Sequence, residues 1–331
     1  MLRKRTALGE YVALLLIWAG LLLLFGALSE NFLSRQTFGA LANRIPTLAV
    51  VAAGMTLVLV IGGIDLSVGS VLGLGGALLG MAMVEWHWPL WASAAVCLCA
   101  GLGAGALNGC VCVLFGIPSF IVTLGALEIA RGLAYLVTHS QTKYIGAAVV
   151  GLAEPIKPIG VSPSFLITAA VIAAGQIVLT FTVFGRHLIA IGSNQEAARL
   201  SGINPVPARI AAFALLGLLT GLGAIFYTSR LGSSDPNAGI GLELSAIAAV
   251  VIGGTSLMGG RGSVVKSFLG VLIITTLEAG LAQVGASEPA KRVITGLVIV
   301  LAVIFDAWRD GLAGPKFARL KRLFPSKLKP S

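Results

Sequence analysis

Long apolar runs, broken only by short polar stretches, recur from one end of the chain to the other. A helix needs about 20 predominantly apolar residues to cross the hydrocarbon core of a bilayer. Ten runs of that order are present, at 11–28, 45–62, 67–84, 90–115, 117–137, 165–184, 208–226, 243–258, 264–285 and 293–305. With no water to satisfy exposed backbone, lipid admits such runs only as helices. The composition agrees, because 57% of the 331 residues are hydrophobic and only 11% charged, against about 25% charged in soluble domains. The expected fold class is an all-α integral membrane protein of about ten transmembrane helices. The third and eighth runs are rich in glycine, so some helices are expected to be broken or re-entrant. Residues 1–308 read as one transmembrane domain and 309–331 as a basic tail. The opening "MLRKR" is like a signal-peptide start, but the run after it is long and lacks the usual cleavage site. It reads as an uncleaved first span.

The net charge of +10 raises the question of nucleic acid, and its placement answers it. With a cytoplasmic N-terminus and ten spans, the C-terminus is cytoplasmic too. Fifteen Lys and Arg then fall on the cytoplasmic side and seven on the outer side, with Arg131 inside a span. That is the positive-inside asymmetry. The tail from Trp308 onward reads as an orientation signal and a contact for membrane lipid, and no nucleic-acid partner is expected.

Cys97, Cys99, Cys110 and Cys112 all lie in the fourth run. A two-residue spacing on a helix sends each pair to different faces, which suits packing and not a metal. No two of His87, His139 and His187 are close in sequence, so no metal site is expected. Trp86 and Trp88 flank His87 like interfacial anchors. No G-x-x-x-x-G-K-[ST] occurs, since "GGRGSVVKS" lacks the Lys after its second Gly. Nor is there an H-E-x-x-H or a nucleophile beside a base. The chain is not expected to be an enzyme, and any ATP chemistry must lie in another polypeptide.

The most marked polar loop is "IGSNQEAARLSGINPVP", residues 191–207. Ser193 and Glu196 fit a capping box, Gly202 a left-handed stop, and Pro205 and Pro207 forbid continuation. The implied helix, about 194–201, is too short to be stable alone and must pack against something. Ala197, Ala198 and Leu200 offer small and apolar surface. Glu196 and Arg199 keep it at the membrane edge, on the cytoplasmic side by the charge count. It is either a plain connecting helix or a docking element for a cytoplasmic partner.

Polar groups inside a membrane pair with each other or line a cavity. Asp65, after two glycines, either caps the third helix or lines a pathway. Asn108 either bonds between helices or meets a solute. Glu128 and Arg131, at i and i+3, have the spacing of an ion pair or belong to a solute site. Glu278 either faces a water-filled path or pairs across helices. In "SRLGSSDPNAGIGLE", Asp235-Pro236 and Asn237-Ala238-Gly239 are turn formers, consistent with a tight re-entrant turn. The loop 138–164, with Pro155, Pro158 and Pro163, is expected to be irregular. "VIGGIDLSVGS" at 60–70 is echoed by "VIGGTSLMGGRGS" at 251–263, one short internal similarity.

"EAARLSG" resembles the E-A-A-x-x-x-G core of the cytoplasmic loop in permease subunits of bacterial ATP-driven importers. "GGIDLSVGS", "GALNGCVCVLFGIPSFIVTLG", "GSNQEAARLSGIN" and "LELSAIAAVVIGGTSLMGGRGS" are similar, in order, to the ribose/xylose/galactose-type permease family over about 45–308. One departure is Ser119, where family members often have a second Pro. The resemblance implies an ABC importer in the bacterial inner membrane, carrying a pentose or hexose. It implies a cytoplasmic ATP-binding subunit that uses ATP and Mg²⁺, a periplasmic sugar-binding protein, and a second permease copy in a homodimer or heterodimer. No cofactor is implied in this chain. The short helix becomes a coupling helix, with Ser193, Glu196, Ala197, Ala198, Arg199 and Gly202 its carriers. Asp235, Asn237 and Glu243 become parts of an outer gate. The competing reading is a stand-alone secondary transporter or channel, which broken spans and buried charges also suit but which leaves the capped helix unexplained.

Overall fold

The computed structural model describes residues 2–157 and 160–309, with side chains from residue 9 to residue 304 apart from that gap. Thirteen helices and one two-stranded ribbon are present among the described residues. In order they are α1 (Leu2–Leu28), α2 (Arg35–Val60), α3 (Val68–Val84), α4 (Leu90–Leu114), α5 (Ser119–Thr138), β1 (Lys143–Tyr144), α6 (Ala147–Val150) and α7 (Pro163–Phe181). They continue with α8 (Val183–Ser193), α9 (Gln195–Leu200), α10 (Pro205–Leu231), β2 (Ser233–Ser234), α11 (Leu242–Ile252), α12 (Val264–Gln283) and α13 (Glu288–Arg309).

Seven helices among the described residues are long and apolar enough to cross a membrane: α1 from Gly9, α2, α4, α5, α7, α10 and α12. The runs at 67–84 and 243–258 become the shorter apolar helices α3 and α11. Of the basic tail, only Arg309, the last residue of α13, is described.

The core forms around α2, whose residues from Ile45 to Val60 are almost all buried. α10 crosses it so closely that a Cβ on Gly54 would lie 2.8 Å from the Leu216 Cα. The tightest pairing joins α4 and α10. Gly101 and Gly105 on one face Gly217 and Gly221 on the other, and a methyl on Gly105 would collide with the Phe213 carbonyl. This is small-xxx-small packing on both helices, which lets backbones touch where apolar burial gives little drive. Cys97 and Cys112 are buried, Cys99 is exposed, and the Cys97 thiol donates to the Gly221 carbonyl at 3.2 Å.

The two ends of the bundle are distinct. At one end Lys266 pairs with Glu10 (2.6 Å), Gly260 N–H donates to the Val60 carbonyl and Arg209 donates to Gln195. At the other, Lys143 pairs with Glu85 (2.8 Å) and Thr37 meets Gln283. The loop 138–164 is more ordered than its prolines imply. β1 pairs antiparallel with β2, α6 follows, and the Ser229 hydroxyl donates to the Val149 carbonyl. A two-residue strand is too short for alternation to be read in a sequence.

Candidate functional site

The first candidate is α9. Its N-cap is Asn194, whose side chain accepts from the Ala197 N–H at 3.0 Å. The expected capping box is therefore corrected. Ser193 ends α8, and its hydroxyl donates back to the Ile189 carbonyl at 2.8 Å, leaving Glu196 one position early. Glu196 pairs with Arg199 at 3.4 Å, both exposed. Gly202 takes φ +85° and donates to Arg199, while Ile203 donates to Ala198, each at 3.0 Å. These two bonds close the helix as a glycine stop should. Ala198 is buried in the protein's own core, whereas Ala197 is exposed and Leu200 is 80% exposed. The base of α9 is fixed by backbone. A Cβ on Gly192 would collide with the Val60 carbonyl and lie 2.6 Å from the Gly260 N. The two echoed glycine segments meet here, beneath the small helix.

The second candidate is a buried polar knot where the chain breaks between α2 and α3. Asp65 Oδ1 accepts from the Ser67 N–H (2.8 Å) and hydroxyl (2.6 Å). Asn108 Nδ2 donates to Asp65 Oδ2 (3.3 Å) and Ser67 Oγ (3.0 Å). All three are at most 5% exposed. Asp65 thus makes an Asx turn, and α3 has Ser67 as its N-cap with no side-chain cap bond. The freed backbone is met from α5: Ile64 N–H donates to Ser119 Oγ (2.9 Å) and Leu66 N–H to Thr123 Oγ1 (3.1 Å). Ser119 therefore supplies an acceptor that a proline there could not.

The third candidate is the turn before α11. Asp235 Oδ1 accepts from the Asn237 N–H (2.8 Å) and side-chain amide (3.1 Å), the same Asx geometry as at Asp65. Tyr135 donates to Asn237 Oδ1 at 2.6 Å. Arg131 does not pair with Glu128. Its guanidinium donates to the carbonyls of Pro236 and Ala238 at 2.5 and 2.9 Å, and Glu128 is left exposed on α5. The long-range carbonyl pair outweighs an i,i+3 contact worth only tenths of a kcal/mol, because it satisfies backbone that no helix satisfies. Glu243 Oε1 accepts from the Gly241 N–H (3.2 Å), and its other oxygen lies against Gly69, at the start of α3. A carboxylate between two helix N-termini is favourably placed.

Beside this turn lies a cavity of about 450 Å³ bounded by α2, α11, α12, α13 and residues 237–241. Glu278 lines it, accepting from Ser245 (3.3 Å) and facing Arg44 at 4.0 Å. Glu278 thus makes contacts across helices, to Ser245 and Arg44, from the wall of this cavity.

The comparisons with known proteins fit this architecture. Residues 37–303 match the family described as "Branched-chain amino acid transport system / permease component". The chain belongs to this permease family. It is 37% identical over 290 residues to the ribose import permease protein RbsC of Escherichia coli (strain K12), covering 86% of this chain and 90% of the relative. Against RbsC of Haemophilus influenzae it is 34% identical over 304 residues, with 90% and 92% covered. Against the autoinducer 2 import system permease protein LsrC of Yersinia enterocolitica it is 35% identical over 298 residues, with 90% and 82% covered. No solved structure matches.

Several residues that build these sites escape a reading of the permease sequence: Arg44, Ser67, Thr123, Tyr135, Asn194 and Ser245. One signal was available. Asp65-Leu-Ser67-Val-Gly69 and Asp235-Pro-Asn237-Ala-Gly239 share a D-x-[SN]-x-G pattern, each preceding a short apolar helix. A methyl on Gly239 would lie 3.1 Å from the Gly69 carbonyl carbon, so the two motifs meet in space.

Proposed function

We propose that this chain is the membrane-spanning permease subunit of an ATP-driven importer that carries a monosaccharide, a pentose or hexose, across the bacterial inner membrane. The observation that carries the reading is α9, a six-residue polar helix capped at both ends and seated on a glycine-tight base. Isolated, so short a helix is marginal, and its rigidity makes sense if a cytoplasmic ATP-binding subunit pushes on it. Its exposed face, with Glu196, Ala197, Arg199 and Leu200, is what such a subunit would touch. Gly202 sets its exit, and Ser193 belongs to the helix beneath.

ATP and Mg²⁺ are used by that partner. The termini lie on the cytoplasmic side, in keeping with the basic residues near α9. A periplasmic sugar-binding protein delivers the solute at the opposite end, where the turn Asp235–Glu243 forms part of the outer gate. A second permease, identical or homologous, completes the channel. The ribose permeases among its relatives favour a sugar as cargo. Asp65, Asn108 and Arg131 act by positioning the re-entrant segments, and Glu128, exposed on α5, faces the partner permease or the aqueous path.

The test is uptake of labelled ribose, xylose and galactose into proteoliposomes holding the chain with its ATP-binding subunit and sugar-binding protein. Wild type is compared with Glu196→Arg. Uptake should need all three components and ATP, and should fall at least tenfold in the variant while the membrane subunit stays folded. Uptake by the chain alone, indifferent to ATP and to the substitution, would refute the reading and leave a stand-alone transporter or channel.

A further inference from the structure

We infer that the cavity between α2, α11, α12 and α13 is a low-affinity binding site for an uncharged polyhydroxy solute, with Glu278 as its principal acceptor. The inference takes the direction of transport from the importer reading, but the site itself rests on geometry. A carbohydrate needs donors and acceptors that stay free after the protein's own bonds are made. Arg44 and Glu278 stand 4.0 Å apart, with side chains 44% and 30% exposed. That is beyond hydrogen-bond length, so guanidinium donors and a carboxylate oxygen remain open to the cavity. Ser245 fixes the other carboxylate oxygen from α11. Asn237, on the re-entrant turn, accepts from Tyr135 at Oδ1 and gives one Nδ2 hydrogen to Asp235, which leaves its second amide hydrogen for a solute. The volume, about 450 Å³, falls within the range of small-molecule sites.

The charge pattern selects a neutral ligand. Glu288 and Lys291 also line the cavity and pair with each other at 3.3 Å. Two acid–base pairs leave Arg292 as the one lining cation without an ion pair among the described residues. An anion would meet the carboxylates of Glu278 and Glu288. A neutral polyol can instead bridge each acid and base, accepting from one and donating to the other. Weak binding suits a path that must release its cargo.

The experiment places a reporter in the wall at a position that makes no polar contact, Thr295→Cys, in the full chain in proteoliposomes. A membrane-impermeant thiol reagent is added, and the wild-type rate is subtracted as background. Millimolar ribose should slow labelling several-fold, and inorganic phosphate or a short-chain phosphatidylglycerol should not. Adding Glu278→Gln should raise the half-protecting ribose concentration about tenfold, the loss expected of a charged hydrogen bond. Asn237→Ala, on an exposed side chain, should weaken protection in the same direction and serves if the Glu278 variant does not fold. Labelling unaffected by ribose, protection by phosphate or lipid headgroup equal to that by ribose, or protection unchanged in both variants would overturn the inference. Ribose protection that persists where uptake proves independent of ATP would uphold the site and refute only the importer reading.

Discussion

Replacing Gly105 by Ala tests the central packing of the permease, and Gly103→Ala on the same helix is its control. Both substitutions remove a helix-interior glycine and so gain about 0.5–1 kcal/mol of intrinsic helix stability. They differ in space. A Cβ at Gly103 meets nothing within 4 Å, whereas one at Gly105 collides with the Phe213 carbonyl and comes within 3.0 Å of the Gly217 Cα. These are backbone atoms, so no side chain can rotate away, and α4 must separate from α10. Overpacking of this kind costs about 1–3 kcal/mol. Asn108 sits one turn further along α4, and its bonds to Asp65 and Ser67 are already 3.3 and 3.0 Å long. Separation breaks them and leaves buried polar groups unmet, at about 1–3 kcal/mol more. The expected gap between the variants is about 2–6 kcal/mol, with the propensity gain common to both. SDS titration of each variant in mixed micelles, followed by tryptophan fluorescence, measures it. Midpoints that agree to within about 0.5 kcal/mol, the scatter expected of surface changes, would refute the close approach of the two helices.

Two further predictions concern the ends of the bundle. Asn194→Ala should remove the cap of α9, costing about 0.5–2 kcal/mol locally and lowering ATP-driven uptake, while Ser193→Ala should leave both near wild type; proteolysis near residue 200 and the uptake assay read these out. At the other end, Lys143 bonds Glu85 and holds its carboxyl below the ordinary value of 4.5. A folded pKa lower than the unfolded one means stabilisation that is present above pH 4.5 and lost as pH falls through the lowered value. Thermal unfolding of wild type and Glu85→Gln should therefore differ at pH 7 and converge at strongly acidic pH.

The helical skeleton was legible because span length and 3.6-residue packing are local matters. Runs such as 90–115 and 264–285 map onto α4 and α12 to within two residues. Gly202 was legible because only a left-handed residue ends a helix that way. The cap was not, since Ser193 and Asn194 are adjacent residues of equal capping ability. What decides between them is the tertiary placement of α8, which claims Ser193 as its last residue. Glu128 and Arg131 show the same limit. Their spacing allows an ion pair, and only the fold reveals carbonyls of residues 236 and 238 within reach. The ribbon β1–β2 joins segments about ninety residues apart, a distance over which no short-range pattern speaks.

The long-range bonds share one feature that explains why α5 carries so many polar residues. The segments before α3 and before α11 are irregular backbone inside an apolar bundle, a state tolerated only where the protein satisfies it. Each is folded by its own aspartate into an Asx turn, and each is then held from α5. Ser119 and Thr123 hold the first turn; Arg131 and Tyr135 hold the second. The first turn adjoins the glycine base of α9, since a Cβ on Gly259 would lie 3.0 Å from the Gly62 N and 2.8 Å from the Gly192 carbonyl. The second walls the cavity at the far end. A helix of twenty residues spans about 30 Å and is far stiffer than either turn. α5 therefore links the two turns as one stiff element, by four side chains whose removal one at a time leaves the helix itself intact.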